Sequence, residues 1–314
     1  MSFDFPYFDL QLNGCHGTDF NADDLSVDAC HAACEKLRAD GVGHVLATII
    51  TDSLDRMAAR LARIAALRGR DPLSADVILG IHVEGPFLNP EPGYAGAHPV
   101  ESIRPADLDA IQRLVDAAEG LVRIVTLAPE HDPGLKVIGW LARQKIIVSA
   151  GHCNPGLDQL RAAIDAGLSM CTHLGNGCPM FLHRHDNIIQ RALSLADRLW
   201  ICFIGDGLHI PYPTLTNYLR CVPPDRAIIV SDGISAAGLG PGRYTLGLQT
   251  VDVCEDQVAR SPDGSHFVGA TATMSQIAAG LRDKVGLDEA TIRRLMLTNP
   301  SRAIGLSPAL YTTP

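Results

Sequence analysis

Eight short β-rich runs alternate along this chain with segments of helical periodicity, and nearly every run ends in a polar residue capable of chemistry. The runs cover residues 7–13, 44–50, 77–84, 122–129, 146–151, 170–174, 199–205 and 227–232. Between them the apolar spacing changes: Leu54, Met57, Ala58, Leu61, Ile64 and Ala65 fall on one helical face. Strands that alternate with helices pack as a parallel sheet, and eight such units close into a (β/α)₈ barrel. A doubly wound open sheet is the competing α/β architecture. The run ends decide between them. Gln11, Asn13, Glu84, Glu130, His152, His173, Asp206 and Asp232 would converge on one mouth in a barrel, whereas an open sheet would spread them along a crevice. A hairpin-like stretch at 242–253 and two helices, 274–285 and 289–304, complete the chain, so a single barrel domain over residues 1–314 is expected.

Composition narrows the function. At 314 residues and 46% hydrophobic the chain can bury a large core. A formal charge of −9, with no block of Lys or Arg, argues against nucleic acid or a membrane surface as partner. The first residues lack the basic and apolar regions of a signal peptide, and no apolar run is long enough to span a bilayer, so a cytoplasmic location is expected. Nine cysteines form no CxxC pair and read as reduced, mostly buried thiols.

Four motifs carry the chemistry. In Ile81-His-Val-Glu-Gly-Pro, period-two alternation turns His82 and Glu84 to the same side of a strand, and a carboxylate facing a barrel interior must be paired or metal-bound. Ser149-Ala-Gly-His and Cys171-Thr-His place His152 and His173 at the ends of runs five and six. Singly, each histidine has an ordinary structural reading. Together, one carboxylate and two imidazoles make the three-ligand set of a catalytic zinc site, with a position left for water. Asp232, in Ile229-Val-Ser-Asp-Gly, faces the same mouth without being needed as a ligand, as a general base would. His82 reads as an orienting partner or core residue.

With these residues in view, the runs His82-Val-Glu-Gly-Pro-Phe-Leu-Asn-Pro, Gly96-Ala-His, Val125-Thr-Leu-Ala-Pro-Glu, Thr172-His-Leu, Asp206-Gly-Leu-His and Asn299-Pro-Ser-Arg resemble the N-acetylglucosamine-6-phosphate deacetylases of the amidohydrolase superfamily. The resemblance implies hydrolysis of the N-acetyl amide of an amino sugar phosphate. It assigns Glu84, His152 and His173 to one divalent metal, zinc first, with iron, cobalt or manganese able to use the same ligands. Asp232 becomes the catalytic acid/base and His98 the residue that polarises the carbonyl. Ala97, Asn176, Gly177, Phe267, Val268 and Gly269 fall at substrate-contacting positions. Arg184 and His209 match cationic phosphate contacts, which in similar dimeric enzymes come from the neighbouring subunit, so a homodimer is implied. Two-metal members carry His-x-His where this chain has Gln11 and Asn13, which implies a single metal. The family's small β-sandwich has almost no sequence here to build it, and the lining departs from the pattern at Asn176-Gly-Cys and Arg184-His-Asp-Asn. A related amidohydrolase acting on another N-acyl sugar or a cyclic amide is one alternative; a non-catalytic sugar-binding barrel is the other.

Overall fold

The computed structural model describes residues 6–264 and 266–306. The first five residues, which entered the reading of the start of the chain, and residues 307–314 of the expected domain lie outside the described residues. The predicted alternation is realised as eight parallel strands: β1 (Tyr7–Leu12), β2 (Val42–Ile50), β3 (Ile78–Glu84), β4 (Val122–Leu127), β5 (Ile147–Ala150), β6 (Leu168–Cys171), β7 (Trp200–Ile204) and β8 (Ala227–Val230). They hydrogen-bond in chain order, each to the next. The sheet closes where Asp232 N–H donates to the Gln11 carbonyl at 3.0 Å and Asn13 N–H to the Gly233 carbonyl at 2.7 Å. The expected (β/α)₈ barrel is therefore the architecture, and the eight run ends share one mouth.

Helices form the outer layer. In α1 (Val27–Ala39) and α2 (Leu54–Arg70), Ser26 and Ser53 accept hydrogen bonds from backbone N–H groups of the first turn. α2 buries Met57, Leu61 and Ile64 completely, at roughly 1.5–3 kcal/mol for each side chain withdrawn from water. All nine residues of β2 are buried, as expected of a parallel strand covered on both faces. Arg60 is buried on the same helix, where it donates to Asp23 at 2.9 Å and contacts Asp52 at 3.1 Å. Phe8, Leu10, Leu46, Ile124, Met170 and Ile228 belong to a second buried cluster. Side chains from this many strands meet each other only inside a closed sheet, and Leu297 and Ala303 of the last helical segment join them.

The expected hairpin is present as β9 (Gly242–Leu246) and β10 (Gln249–Val253), extended by a third short strand, β11 (Ala259–Arg260). It is tethered to the mouth by Gln249 Nε2, which donates to the Ala97 carbonyl at 2.6 Å. Both C-terminal helices form, each with a π-helical turn, at Leu281–Val285 and Arg294–Thr298. All nine cysteines are free, and six of them are buried. Among the described residues no helix is long and apolar enough to cross a membrane.

Candidate active site

Glu84 ends β3, and His152 and His173 sit just beyond β5 and β6. Their ligand atoms converge. His173 Nε2 lies 3.0 Å and His152 Nε2 3.4 Å from Glu84 Oε1, and the two Nε2 atoms are 3.2 Å apart. A tetrahedral ion with bonds of about 2.0–2.1 Å separates its ligands by about 3.3 Å, so this triangle fits one. Hydrogen chemistry agrees. His152 Nδ1–H donates to the Tyr94 carbonyl at 2.7 Å, which leaves a lone pair on Nε2 facing the carboxylate. Two acceptors turned toward each other in a buried site call for a cation between them. Burial opposes the charge on Glu84, but His173, hydrogen-bonded at 3.0 Å and carrying charge, works against that penalty, and the carboxyl stays well below its usual range. For His173 burial likewise works against the charged form, and Glu84 prevails, raising its pKa above the ordinary value.

The backbone at these residues is unusual. His152, His173 and Asp232 have φ of 51°, 29° and 52°. A residue with a Cβ pays of order 1–3 kcal/mol to adopt the left-handed region, so the surroundings must enforce it. Gly177 helps by coming close: a Cβ there would stand 2.8 Å from His152 Nδ1.

Asp232 is held by amides. Gln11 Nε2 donates to its Oδ1 at 3.1 Å and Asn13 Nδ2 to the same atom at 2.9 Å, while Gln11 Nε2 also lies 3.2 and 3.3 Å from the two Glu84 oxygens. Burial, with the Glu84 charge added, pushes the Asp232 carboxyl up to about 6. A carboxyl near this value can exchange a proton close to neutrality. His98 is buried at the same centre, its Nε2 3.3 Å from His152 Nε2, and the loss of hydration drives its pKa down to about 3. His98 therefore stands neutral, with one N–H to offer. Its nitrogen also lies within 4.8 Å of the Glu84 and His152 ligand atoms.

The other residues expected to contact substrate lie on several separate segments. Asn176 and Gly177 follow His173, and Asn176 donates both N–H and Nδ2 to the His173 carbonyl, at 2.9 and 3.3 Å. His209 is paired with Asp206 at 2.7 Å and packs edge-on to Phe267, with ring centroids 5.4 Å apart. Phe267 is half-exposed, Val268 is buried, and Gly269 and Ala97 are partly exposed. Arg184 lies on an exposed segment beside Met180 and Phe181, which are 91% and 93% exposed.

Of the two readings of His82, the structure shows the core residue: it is buried, its Nδ1 faces the Leu10 carbonyl at 3.2 Å and its Nε2 meets Thr126 Oγ1 at 2.7 Å. Thr126 continues to Thr172 at 2.7 Å and Thr172 to Ser149 at 2.6 Å, a buried chain beneath the ligands. Sequence reasoning missed this chain and the Tyr94 carbonyl. Hydroxyl residues at adjacent strand ends were the available signal for the first; a backbone acceptor left none. Cys153 is buried and its thiol is pushed well above the usual range, which suits a bystander.

No model of a known protein family matches the chain. Among curated proteins it is 31% identical over 304 residues to the N-acetylgalactosamine-6-phosphate deacetylase of Escherichia coli O157:H7, covering 97% of this chain and 78% of that protein. It is 31% identical over 300 residues to the N-acetylglucosamine-6-phosphate deacetylase of Bacillus subtilis (strain 168), covering 95% and 74%. Among solved structures, a variant N-acetyl-D-glucosamine-6-phosphate deacetylase from Mycobacterium smegmatis, in complex with N-acetyl-D-glucosamine-6-phosphate, superposes with a TM-score of 0.86 at 31% identity, over 96% of this chain and 77% of that one. The N-acetylglucosamine-6-phosphate deacetylase of Thermotoga maritima gives 0.84 at 26% identity, over 96% and 78%.

Proposed function

The chain belongs to the N-acetylglucosamine-6-phosphate deacetylase family, and on that premise we propose that it hydrolyses the N-acetyl amide of N-acetylglucosamine 6-phosphate, giving glucosamine 6-phosphate and acetate. The observation that carries the reading is the meeting of Glu84, His152 and His173 within 3.4 Å of one another. Asp232 stands at the same mouth, in hydrogen-bond contact with Gln11. These three side chains would hold one divalent ion, zinc by preference for imidazole and carboxylate. When bound, the ion supplies Lewis acidity to the amide carbonyl and to the attacking water.

The chain's own groups do the rest. Asp232, oriented by the Gln11 and Asn13 amides at Oδ1, takes the proton of the attacking water on Oδ2 and delivers it to the departing amine. Neutral His98 donates its N–H to the oxygen on which charge develops. Asn176, Gly177, Ala97 and the 267–269 segment border the sugar. Arg184 supplies a planar cation for the phosphate. Its exposure, with Met180 and Phe181 bare beside it, supports a homodimer in which this segment meets a second copy and Arg184 serves the neighbour's mouth. N-acetylgalactosamine 6-phosphate is the second substrate reading, favoured by the equal identity to the Escherichia coli relative.

The test is release of acetate and free amine from both phosphorylated epimers by zinc-loaded protein, with the unphosphorylated sugar and Asp232→Asn as controls. Turnover of one epimer that drops about 10²- to 10⁴-fold in Asp232→Asn is expected. Turnover of neither, in protein shown to hold metal, would reject the proposal.

A further inference from the structure

Three hydrogen bonds close a ring around the segment that carries His152. Asn89 N–H donates to the His152 carbonyl at 2.9 Å, and Asn89 Nδ2 donates to Glu130 Oε1 at 3.1 Å. The backbone N–H of Asn154 donates to that same Oε1. One carboxylate oxygen thus joins the loop after β3, the 3₁₀ turn Pro129–His131 after β4, and the segment after β5. Glu130 stood out in the sequence as a polar strand end, yet the reaction gives it no task.

His152 has need of such a ring. Its φ of 51° is unfavourable for a residue with a Cβ, and its backbone lies past the end of β5, where ladder bonds no longer define it. The ring of its side chain is set by the Tyr94 carbonyl at 2.7 Å, and Tyr94 belongs, like Asn89, to the loop after β3. Asn89 Oδ1 orders that loop by accepting from Glu91 N–H at 2.9 Å. On the far side, Asn154 Oδ1 accepts from Arg191 Nη1 at 3.0 Å. Glu130 therefore bears on both the backbone and the imidazole anchor of His152. Its other oxygen, Oε2, is buried without a hydrogen-bond partner among the described residues, so the side chain acts through Oε1 alone.

We propose that Glu130 is a positioning residue for the metal centre, holding His152 at ligand distance through Asn89 and Asn154. The proposal rests on the reading of His152 as a metal ligand. What it requires at Oε1 is an acceptor, not a charge, so glutamine should serve and leucine should not.

The experiment measures zinc affinity by competition with a chromophoric chelator, for the wild type, Glu130→Gln, Glu130→Leu, Asn89→Leu and His152→Ala, with thermal melts of each protein to establish folding. Glu130→Leu is expected to weaken zinc about 10- to 100-fold and Asn89→Leu about 10-fold, while Glu130→Gln stays within about threefold of wild type. At saturating zinc Glu130→Leu should recover kcat with KM unchanged. Wild-type affinity in folded Glu130→Leu, or a Glu130→Gln as weak as Glu130→Leu, overturns the proposal. Should Glu130→Leu fail to fold, Asn89→Leu decides, and wild-type affinity there overturns it as well. His152→Ala separates the two readings: undiminished zinc binding there refutes the ligand assignment, whereas its loss beside intact Glu130→Leu and Asn89→Leu refutes only the role of Glu130.

Discussion

Gln11 Nε2 stands between two carboxylates, 3.1 Å from Asp232 Oδ1 and 3.2 and 3.3 Å from the oxygens of Glu84. A neutral amide from β1 thus bridges the two buried carboxylates. The consequence is electrostatic. Asp232 has a fixed anion nearby, and its ionisation is favoured by His173, His209 and the Asn13 amide.

That dependence sets a pH profile. Asp232 must be ionised to accept a proton, and burial lifts its carboxyl to about 6. A bound cation lowers that value, so kcat should fall as pH drops through an acid limb at or below about 6. Asn13→Leu removes a donor, at 2.9 Å, that favours the charged form. Its acid limb should therefore move to higher pH, with the alkaline plateau within about tenfold of wild type. A kcat–pH series on both proteins checks this, and a limb that stays in place refutes it.

The proposed role of Arg184 at the phosphate makes a separate prediction. Charge-assisted hydrogen bonds are worth about 1.5–3 kcal/mol, so Arg184→Ala should raise KM for the phosphorylated sugar about 10- to 100-fold. The unphosphorylated sugar should be affected little. If Arg184 serves a neighbour, Met180→Ser with Phe181→Ser should lower the sedimentation coefficient toward that of a monomer and raise KM in step. A double variant that sediments as wild type removes the argument from these two exposed side chains.

Strand-end chemistry was legible in the sequence because a parallel barrel sends every strand's carboxyl end to one mouth, so Glu84, His152, His173 and Asp232 could be grouped without coordinates. The helical face of Met57, Leu61 and Ile64 was equally plain from its spacing. Other features depend on groups that periodicity does not encode. His152 is anchored by Asn89, which bonds its carbonyl, and by Tyr94, which bonds its ring, partners distant in sequence whose backbone atoms carry no side-chain signal. Burial of Arg60 on an amphipathic helix depends on Asp23 and Asp52 meeting it from two other loops. The π-helical turns at Leu281–Val285 and Arg294–Thr298 fall inside patterns that read as continuous helix.

Stability should respond to pH through Asp9. This carboxyl is wholly buried, and burial raises it from 3.8 to about 7 although Ser231 and the Gln11 N–H bond to it. Because the folded-state value is the higher one, the folded protein binds the extra proton between about pH 4 and 7. The contribution is then fully present below about pH 4 and is lost as pH rises to 7. Asp9→Asn keeps the shape and cannot ionise. Chemical denaturation from pH 5 to 8 should show a flatter dependence for Asp9→Asn and a gain over wild type at pH 8; parallel curves would mean Asp9 does not titrate in this range.

Thr126 gives the most localised test of the core. Its hydroxyl joins His82 Nε2 to Thr172 Oγ1, both at 2.7 Å, in a place with no exposed surface. Burial drives His82 down to about 4, so the ring is neutral, and with Nδ1–H turned to the Leu10 carbonyl its Nε2 must accept. The chain is therefore directional, with Ser149 donating to Thr172, Thr172 to Thr126 and Thr126 to His82. Thr126→Val keeps the volume and strands the acceptor on His82 and the donor on Thr172, each costing about 1–3 kcal/mol. Thr126→Ser keeps the hydroxyl and forfeits only a methyl group, about 1 kcal/mol. Valine should accordingly destabilise the protein about 2–6 kcal/mol, clearly more than serine, in equilibrium denaturation. Equal losses for the two variants would mean that packing at this position, and not the oriented hydroxyl, secures the strand ends beneath the ligands.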